Sequence, residues 1–455
     1  MFVSAAAWTA CCILLQIIAC GCCRPLLRVL QEYHDAGWKI PKVMFYTNTA
    51  SGATVQAIYD GIYKPEYCKD TWFCLDGKPV IIAVKEECSE ETREFFNIKM
   101  SQWPNEPDKL GGWPWMDFTR PQRVFANLKG EDEVINVSVA QHPQIRFGDS
   151  VLYGETTNCG RGFHNGVNDP DPDAYKWGYN FEEQFDRALE TDPPIVLITG
   201  WNEWIAGRWE GTPTRPILFV DCANYEYSRD VEMMRDGYFD NYFMQMVSYV
   251  RRYKGAVANP IHAAVAPAEG NAVGCFCEAT AVYDSFSDGD FERHAEGQGG
   301  VMYHNATQRN VIERIKVKHD DEYISFCVRT KTPVTSADTA SSWMKLYLNT
   351  EGGTGYQFVL NNTPAADGTT TLARVTGTGD DLTATDIEGI VAYYEVKDNK
   401  FRIKVPRAAL GLDHADFTLW FKVADSREAY TAIEDFYDKG DVAPLGRLNY
   451  VYRGA

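Results

Sequence analysis

Apolar and polar positions follow two different patterns along the chain, with a change near residue 256. Before that point, short continuous apolar runs alternate with stretches in which apolar residues recur every three or four positions. This pattern is typical of parallel strands that are buried on both faces and connected by helices. The predicted strands are Lys42–Asn48, Pro79–Val84, Phe95–Gln102, Val134–Gln141 and Ile195–Trp201, and the predicted helices are Leu26–Ala36, Thr54–Tyr63, Phe181–Glu190 and Asn241–Lys254.

Beyond an Ala- and Pro-rich segment, 256–271, apolar residues alternate with polar ones at every second position. This alternation predicts antiparallel strands over Tyr323–Val328, Trp343–Leu348 and Phe417–Val423, and a hairpin over Tyr393–Val405. Many short strands separated by turn residues favour a β-sandwich. We therefore predict an apolar segment 1–23, an α/β domain 24–255, a linker 256–271 and an all-β domain 272–455.

The first domain has too few strands for a complete (β/α) TIM-type barrel. Such a barrel needs eight strands, whereas the apolar runs predict five, or six with Ile217–Val220. The prediction is a barrel that lacks its first strands, with an open α/β sheet as the alternative. The second domain adds an antiparallel β-sandwich.

Residues 2–22 are nearly uncharged, which is typical of a signal peptide or an anchor. Ile18-Ala19-Cys20 matches a lipoprotein cleavage site and predicts a lipid anchor at Cys20. No Lys or Arg precedes the apolar run, however, so a buried helix and an aberrant start remain alternatives. The chain has 13 cysteines without a repeated spacing, and we expect free thiols, with Cys275-Phe276-Cys277 in a strand.

The charge balance narrows the choice of ligand. The 63 acidic and 44 basic residues give a formal charge of -19, which argues against a nucleic-acid groove or an anionic membrane surface. Aromatic residues make up 13% of the chain. A neutral ligand with flat apolar faces, such as a sugar, fits such a surplus.

The sharpest motif is Ile198-Thr199-Gly200-Trp201-Asn202-Glu203-Trp204, where a strand ends in a carboxylate between two indoles. Low polarity around a carboxyl group raises its pKa towards the range of a general acid. Trp201, Asn202, Trp204 and Trp209 would shape a sugar subsite. Glycoside hydrolysis usually needs a second carboxylate. The candidates are Glu210, Asp117, Glu155 and Asp221, while the structural alternative pairs Glu203 with Arg208.

Two further groups are candidates for contact with a substrate. Gln141 and His142 end a predicted strand, and Arg161 and His164 lie in a Gly-rich loop, where they could hold sugar hydroxyls or a uronate. The alternative is a helix-capping His142 and a solvated Arg161. The second group consists of tryptophans in polar inserts, from which we single out Trp115 with the neighbouring Asp117; its other members are Trp103, Trp113 and Trp177.

The region from about Arg24 to Gly255 resembles the C-terminal part of family 99 and WbsX-like glycoside hydrolase barrels. The resemblance is carried by Trp201-Asn202-Glu203-Trp204 and by the strand entry Gly77-Lys78-Pro79. It implies carbohydrate cleavage with Glu203 as a catalytic carboxylate. In family 99 a second Glu follows three positions later, where this chain has Ala206, so that acid/base role is not carried over. Against those barrels, the run at Lys42 corresponds to the fourth strand, which predicts a fragment.

Residues from about 272 to 455 resemble family 9 carbohydrate-binding modules and related DOMON-like sandwiches. The resemblance is carried by Ser342–Leu346, Asp435-Phe436-Tyr437 and the segment Gly446–Tyr452. It implies sugar binding, with a structural calcium in some members. The expected calcium ligands are Asp284, Asp288 and Asp290, for which ordinary turn positions are the alternative. Trp343 and Trp420 lie in alternating strands, so we expect both to pack in the core.

These observations predict a carbohydrate-active protein, preferably a glycoside hydrolase acting on a poly- or oligosaccharide. The alternative is a non-catalytic glycan-binding surface protein. We expect no cofactor for catalysis, no nucleic-acid or protein partner, and an extracytoplasmic location.

Overall fold

The structure, a computed structural model, describes most of the chain as two compact units, Met1–Ala256 and Val257–Ala455. The division falls at the start of the segment 256–271. The described residues are 2–3, 12–15, 23–104, 106–141, 158–202, 210–211, 213, 217, 219, 224–277, 281–285, 293–296, 302–353, 355–377 and 381–455. They form a mixed α/β fold that is rich in strands.

The first unit combines short strands with helices. Its described α-helices are Cys23–Asp35, Ser51–Ile58 with a π-helical continuation Tyr59–Tyr63, Glu90–Phe95, Tyr179–Thr191 and Asn241–Lys254, and its short 3-10 helices are Lys69–Thr71, Lys85–Glu87 and Ala174–Lys176. Its described strands, in chain order, are β1 (Phe2–Val3), β2 (Cys12–Leu15), β3 (Lys42–Tyr46), β4 (Cys74–Leu75), β5 (Lys78–Ala83), β6 (Asn97–Gln102), β7 (Gly112–Pro114), β8 (Val124–Ala126), β9 (Asp132–Val137), β10 (Phe163–His164), β11 (Val167–Asn168) and β12 (Ile195–Ile198).

The longer strands pair in parallel, as the continuous apolar runs predict. One sheet has the order β2-β3-β5-β6-β7, with every neighbouring pair parallel, and β4 pairs with β5. A second sheet has the order β1-β12-β9-β8, in which β12 and β9 are parallel. Strands β1 and β2 both lie within the apolar segment 1–23. The described parallel strands therefore include one, β2, that precedes the run at Lys42.

Strands β3, β5 and β12 are covered on both faces. Met44 of β3, Ile82 of β5 and Leu197 of β12 point into one central hydrophobic cluster that draws on both sheets. The alternate residues of the same strands, such as Phe45 and Val196, pack against the helices. Burial on both faces explains why these strands are continuously apolar rather than alternating.

The second unit is dominated by antiparallel strands. Its described strands are β13 (Ile261–His262), β14 (Ala281–Asp284), β15 (Arg293–Glu296), β16 (Met302–Asn305), β17 (Ile312–His319), β18 (Tyr323–Thr330), β19 (Ser342–Asn349), β20 (Phe358–Leu360), β21 (Thr369–Val375), β22 (Ala384–Lys397), β23 (Lys400–Pro406), β24 (Phe417–Ser426), β25 (Asp441–Ala443) and β26 (Tyr450–Gly454). One short helix, Asp435–Asp438, lies before β25.

Twelve of these strands form one sheet, with the path β13-β26-β24-β19-β20-β21-β22-β23-β18-β17-β14 and with β25 on β24. Tyrosine hydroxyls connect β14, one end of this path, to β26, which lies next to the other end. Tyr283 of β14 donates to the carbonyl of Val451 at 2.7 Å, and Tyr450 of β26 donates to that of Asp284 at 2.9 Å. The sheet therefore curls around its core and is nearly closed.

Alternation along the strands separates the core from the surface. The core cluster includes Phe326, Trp343, Ile403 and Phe421, so Trp343 packs as expected. Trp420 does not, because it lies on the outward side of β24 and remains partly exposed. The neighbours Leu419 and Phe421 take the inward side, and a strand cannot direct consecutive side chains to the same face.

Cys275 and Cys277 differ from the expectation of free thiols in a strand. They are joined by a disulfide and lie outside the strands. The described free thiols are Cys23, Cys68, Cys74, Cys88, Cys159 and Cys327, which are buried or partly buried. Within the part of the chain that the structure describes, none of the helices has the length and apolar character needed to cross a bilayer.

Candidate functional site

The candidate catalytic strand end is described only in part. Strand β12 ends at Ile198, and Trp201 and Asn202 follow it. Glu203, the proposed catalytic carboxylate, lies outside the described residues. The other candidates outside the described residues are His142, Glu155, Trp204, Trp209, Asp221 and Arg208, the alternative partner of Glu203.

Gly200 fixes the course of the chain just before this motif. Its carbonyl accepts the amide of Val231 at 2.8 Å, and the carbonyl of Trp201 accepts that of Glu232 at 2.9 Å. Its φ is +77°, and a Cβ here would lie 2.4 Å from the carbonyl oxygen of Arg229. Only glycine fits this left-handed conformation and close approach without strain.

Trp201 and Asn202 are both exposed. The Trp201 side chain is 43% exposed and meets the Phe243 ring edge-on at 6.2 Å. The Asn202 amide donates to Glu232 at 3.4 Å. A partly free indole face is compatible with a sugar platform. Glu210, one candidate second carboxylate, is also exposed.

Asp117, the other described candidate carboxylate, is fully buried. One of its oxygens accepts the Arg123 guanidinium at 2.8 Å, and the other accepts the Arg123 amide at 2.8 Å. The Thr119 amide donates to it at 3.1 Å. These bonds commit both oxygens, so the geometry favours a structural ion pair over a group that meets substrate.

The tryptophans of the polar inserts are more buried than a set of loop platforms would be. Trp113 lies in β7 and is fully buried, which corrects the prediction that it lies in a loop. Trp115 is 7% exposed, and its ring is covered by Trp103 at 5.3 Å and by Arg229 at 4.9 Å. Trp103 and Trp177 keep exposed faces.

Gln141 belongs to a buried amide network at the carboxyl ends of the parallel strands. Its amide donates to the carbonyl of Asp117 at 2.7 Å and to Gln184 at 3.2 Å. Asn136 of β9 donates to Thr199 at 3.0 Å and accepts the amide of Asp117 at 3.2 Å. The network joins β9, β12 and the loop of Trp115 and Asp117, and it fixes their spacing.

Arg161 is fully buried, which corrects the alternative of a solvated loop charge. Its guanidinium lies over the rings of Tyr238 and Tyr242, at 4.1 and 4.4 Å, and donates to the carbonyl of Asp230 at 2.6 Å. Buried cations need such partners. His164, in the same loop, contacts Asp169 at 2.9 Å, stacks on Tyr179 and is partly exposed.

Glu226 is a residue that the sequence analysis missed. It is partly buried against the Arg161 loop, where its carboxylate accepts the amide of Gly162 at 2.9 Å and its carbonyl accepts the amide of Arg161 at 2.7 Å. Burial raises its pKa to about 6, although this amide and the charge of Arg161 oppose the shift. The residues next to Glu226 in the sequence show no helical or strand periodicity, so no sequence pattern selected it as a candidate.

Among the described residues, one group of side chains lies close enough together to hold a metal ion. His34, Asp35 and Asp70 lie close together on the surface, and Gln31 donates to both carboxylates. An exposed cluster that already has hydrogen bonds gives no reason to assign an ion. Of the expected calcium ligands, Asp284 ends strand β14 and is paired with Arg314, whereas Asp288 and Asp290 lie outside the described residues.

The second unit contains a cavity of about 430 Å³ on the outward side of β24 and β26. We call it the Trp420 cavity. Trp420 and Thr418 of β24 contribute to it, and Arg453 of β26 lies opposite Thr418 in the sheet register. Its remaining lining residues are Ile261, Thr350, Gly411, Leu412, His414, Asp416, Phe417 and Gly454.

The cavity combines an indole with hydrogen-bonding groups that are free to bind. Among the described contacts of this unit, the side chains of Arg453, Asp416 and His414 have no partner. Gly352 lies beside the Trp420 ring, where a Cβ would be 3.6 Å from it. An aromatic face next to a guanidinium and a carboxylate is a usual composition for a small-molecule site.

Comparison of the chain with protein-family models and with curated proteins finds no match.

Proposed function

We propose that the protein binds a carbohydrate through the Trp420 cavity. The observation that carries the proposal is the outward position of Trp420 in a cavity whose charged side chains, among the described contacts, lack partners. Sugars present an apolar ring face edged by hydroxyls, so an indole with nearby Arg, Asp and His side chains offers complementary contacts. The resemblance to family 9 carbohydrate-binding modules points in the same direction.

We also propose the finer architecture that accompanies this function. In this proposal the parallel strands belong to a TIM-type barrel lacking some strands, because alternate residues face one central cluster and the helices. The second unit would be a carbohydrate-binding-module-like sandwich. A protein that handles polysaccharide would work outside the cytoplasm.

Binding of polysaccharides to the full chain tests the proposal. Wild-type protein and Trp420→Ala are titrated with a panel of neutral polysaccharides, with calorimetry as the readout. We expect at least one ligand to bind and Trp420→Ala to weaken it by about ten-fold or more, since a central aromatic carries much of the binding energy.

Tyr33→Ala is the control, because Tyr33 is an aromatic residue of the first unit that is 38% exposed and lies outside the candidate sites. Its affinity should equal that of wild type. Unchanged affinity in Trp420→Ala, or no binding by wild type across the panel, would refute the proposal.

Glycoside hydrolysis by the first unit is the second candidate function. It is favoured by Trp201, whose indole is exposed directly after a parallel strand, the position where barrel enzymes hold their catalytic groups. Glu203 would be the catalytic carboxylate. Of the two described candidates for the second carboxylate, we favour Glu210, because the Asp117 carboxylate is hydrogen-bonded to Arg123.

Release of reducing ends from polysaccharides tests this second function. If the chain is a hydrolase, Glu203→Gln should abolish turnover and keep binding, whereas Asp117→Asn should reduce activity only as far as it reduces folding. If wild-type protein binds polysaccharide but shows no turnover, hydrolysis is refuted and binding remains as the proposed function.

A further inference from the structure

The outward face of three adjacent strands carries basic side chains at alternate positions of β17 and β23 and at one position of β18. The inward residues, such as Ile315, Phe326 and Ile403, belong to the core. We call the seven outward cations the basic face; they are Arg314, Lys316, Lys318, Arg329, Lys400, Arg402 and Lys404. In a chain with a net charge of -19, this concentration of positive charge is local.

The strand register brings these cations directly opposite one another. Arg314 lies opposite Arg329, and Arg329 lies opposite Lys400. In the next row, Cys327 separates Lys316 from Arg402. Like charges directly opposite each other destabilise a sheet. Carboxylates pair with Arg314 and Arg329, so the folding cost that a bound anion would still offset lies with the lysines of the face.

A segment of the same unit, 270–277, covers part of this face. Lys404 donates to the carbonyl of Gly270 at 2.7 Å, and Lys318 donates to that of Cys275 at 2.7 Å. The Phe276 ring packs with Cys327 and Val273. These contacts hold the segment against the strands.

Between the segment and the strands lies a cavity of about 250 Å³, which we call the basic cavity. Five members of the basic face line it, together with Cys327 and the Cys275–Cys277 disulfide. Burial raises the pKa of the Cys327 thiol, so this group adds no negative charge at neutral pH. The five cations are Arg314, Lys316, Arg329, Lys400 and Arg402.

Among the residues that the structure describes, the cavity keeps an excess of positive charge after its ion pairs are taken into account. Asp284 pairs with Arg314, Glu313 pairs with Arg329 and Glu395 pairs with Arg402. Lys316 has, among the described contacts, only a backbone acceptor, the Phe276 carbonyl at 3.4 Å. For Lys400, the described residues provide no side-chain partner.

We propose that the basic cavity binds an oxyanion substituent, a carboxylate or a sulfate ester, on an acidic polysaccharide. This inference rests on the proposed carbohydrate-binding function and adds the ligand's charge to it. Guanidinium and ammonium groups bind oxyanions through charge-assisted hydrogen bonds. The small volume suits a single charged substituent, and Lys316 and Lys400 supply the uncompensated charge.

Three polymers with one backbone test the inference: dextran, carboxymethyl dextran and dextran sulfate. Each is titrated into the full-length protein at low and at physiological salt. We expect at least one charged derivative to bind more tightly than dextran, with an affinity that falls as salt rises. The carboxymethyl and sulfate arms separate the two sources of the oxyanion.

A double variant, Lys316→Gln with Lys400→Gln, isolates the cavity. It should weaken binding of the charged derivative by about ten-fold or more, because two charge-assisted hydrogen bonds are removed. Lys331→Gln is the matched control, an exposed lysine outside the cavity, and should keep wild-type affinity. Circular dichroism of each variant verifies folding.

Trp420→Ala separates this inference from the proposed function. If it abolishes neutral-polysaccharide binding while the double variant keeps wild-type affinity for charged dextran, the oxyanion site is refuted and the carbohydrate function stands. If the double variant alone loses charged-dextran binding and no neutral polysaccharide binds, the cavity is an oxyanion site and the Trp420 proposal fails. If neither charged derivative binds more tightly than dextran, the inference is refuted.

Discussion

Glu226 shows how one carboxyl group makes stability depend on pH. Its folded-state pKa of about 6 exceeds the ordinary value of 4.5 because burial disfavours the charged form. The folded protein therefore holds this proton more tightly than the unfolded chain does. The resulting stabilisation is present below about pH 4.5 and is lost as the pH rises through about 6.

Replacing Glu226 with Gln should remove this part of the pH dependence. The free energy of unfolding of wild type should fall more steeply between pH 4.5 and about pH 7 than that of Glu226→Gln, because glutamine does not ionise. Urea unfolding at several pH values measures the difference. Glu94→Gln, at an exposed position of the same unit, should follow wild type; equal slopes for wild type and Glu226→Gln would contradict the explanation.

Gly200 is the residue at which backbone conformation and packing both require glycine. We expect Gly200→Ala to lower the free energy of unfolding by about 2 kcal/mol or more, since a left-handed alanine is strained and its Cβ would meet the carbonyl of Arg229. Gly37 has a φ of +88°, and a Cβ added there would have no atom within 4 Å among the described residues. Gly37→Ala should therefore cost only about 1 kcal/mol, and equal losses would show that the close approach is unimportant.

For single residues, the sequence shows which side chains carry reactive or charged groups, but not how buried those side chains are. The sequence singled out Asp117 and Arg161, but both are buried. Asp117 pairs with Arg123 six positions further on, whereas Arg161 lies over Tyr238 from a distant part of the chain. Trp420 could have been placed correctly, because Leu419 and Phe421 already occupy the inward positions. Glu226 could not, because its raised pKa depends on a tertiary contact with Gly162.

At the scale of the element, strand β24 connects the core of the second unit to a buried ion pair. Asp425 near its end is fully buried and accepts both ends of the Arg309 guanidinium, at 3.1 and 3.0 Å. It also accepts the amide of Met344 from β19 at 2.9 Å. One carboxylate thus joins two strands and the segment that leads into β17.

Asp425→Asn should lower the free energy of unfolding by about 3 kcal/mol, because it leaves a buried guanidinium without its main counter-charge. Asp338 offers a matched control, since it contacts the same Arg309 from a side chain that is 43% exposed. Asp338→Asn should cost about 1 kcal/mol or less. Similar losses for the two variants in urea unfolding would show that burial does not set the strength of this pair.

Elements with a strong period were predictable, and short ones were not. Helix Asn241–Lys254 begins and ends where the pattern predicts, and the hairpin of β22 and β23 turns at Asp398. Strands β1 and β2 hold only a few residues, which is too short for any period to register. The disulfide of Cys275 and Cys277 replaces a predicted strand because it closes the chain into a tight loop.

At the scale of the whole molecule, the two units predict where a protease should act. Residues 255–258 are exposed and lie outside the helices and strands, next to the division between the units. They include Ala and Val, which elastase accepts, and exposed irregular segments are preferred cleavage sites. We expect limited elastase digestion to cut first in this segment, as terminal sequencing would verify.

Trypsin provides the control, because no Lys or Arg lies between Lys254 and Arg293. Fragments that begin within 256–292 should therefore appear with elastase only. First cuts inside a sheet, such as between β17 and β18, would contradict the division into two compact units.

The basic face is also formed only in the folded molecule, and this explains why the sequence did not predict the basic cavity. Arg314, Arg329 and Lys400 are distant in sequence and become neighbours only through the pairing of three strands. A net charge of -19 averages over such a patch. Global charge correctly describes the long-range field but carries no information on local register.

The alternation along β24 has a consequence for how this protein can change over evolutionary time. Thr418 and Trp420 face the cavity while Leu419 and Phe421 fill the core. Deletion of one codon of β24 beyond Phe421, with the rest of the strand held in register, would exchange the two sets, sending the indole inward and a leucine out. Loss of two codons would preserve the assignment. Descendants that keep Trp420 on the outward face should therefore differ in length within β24 by even numbers of residues.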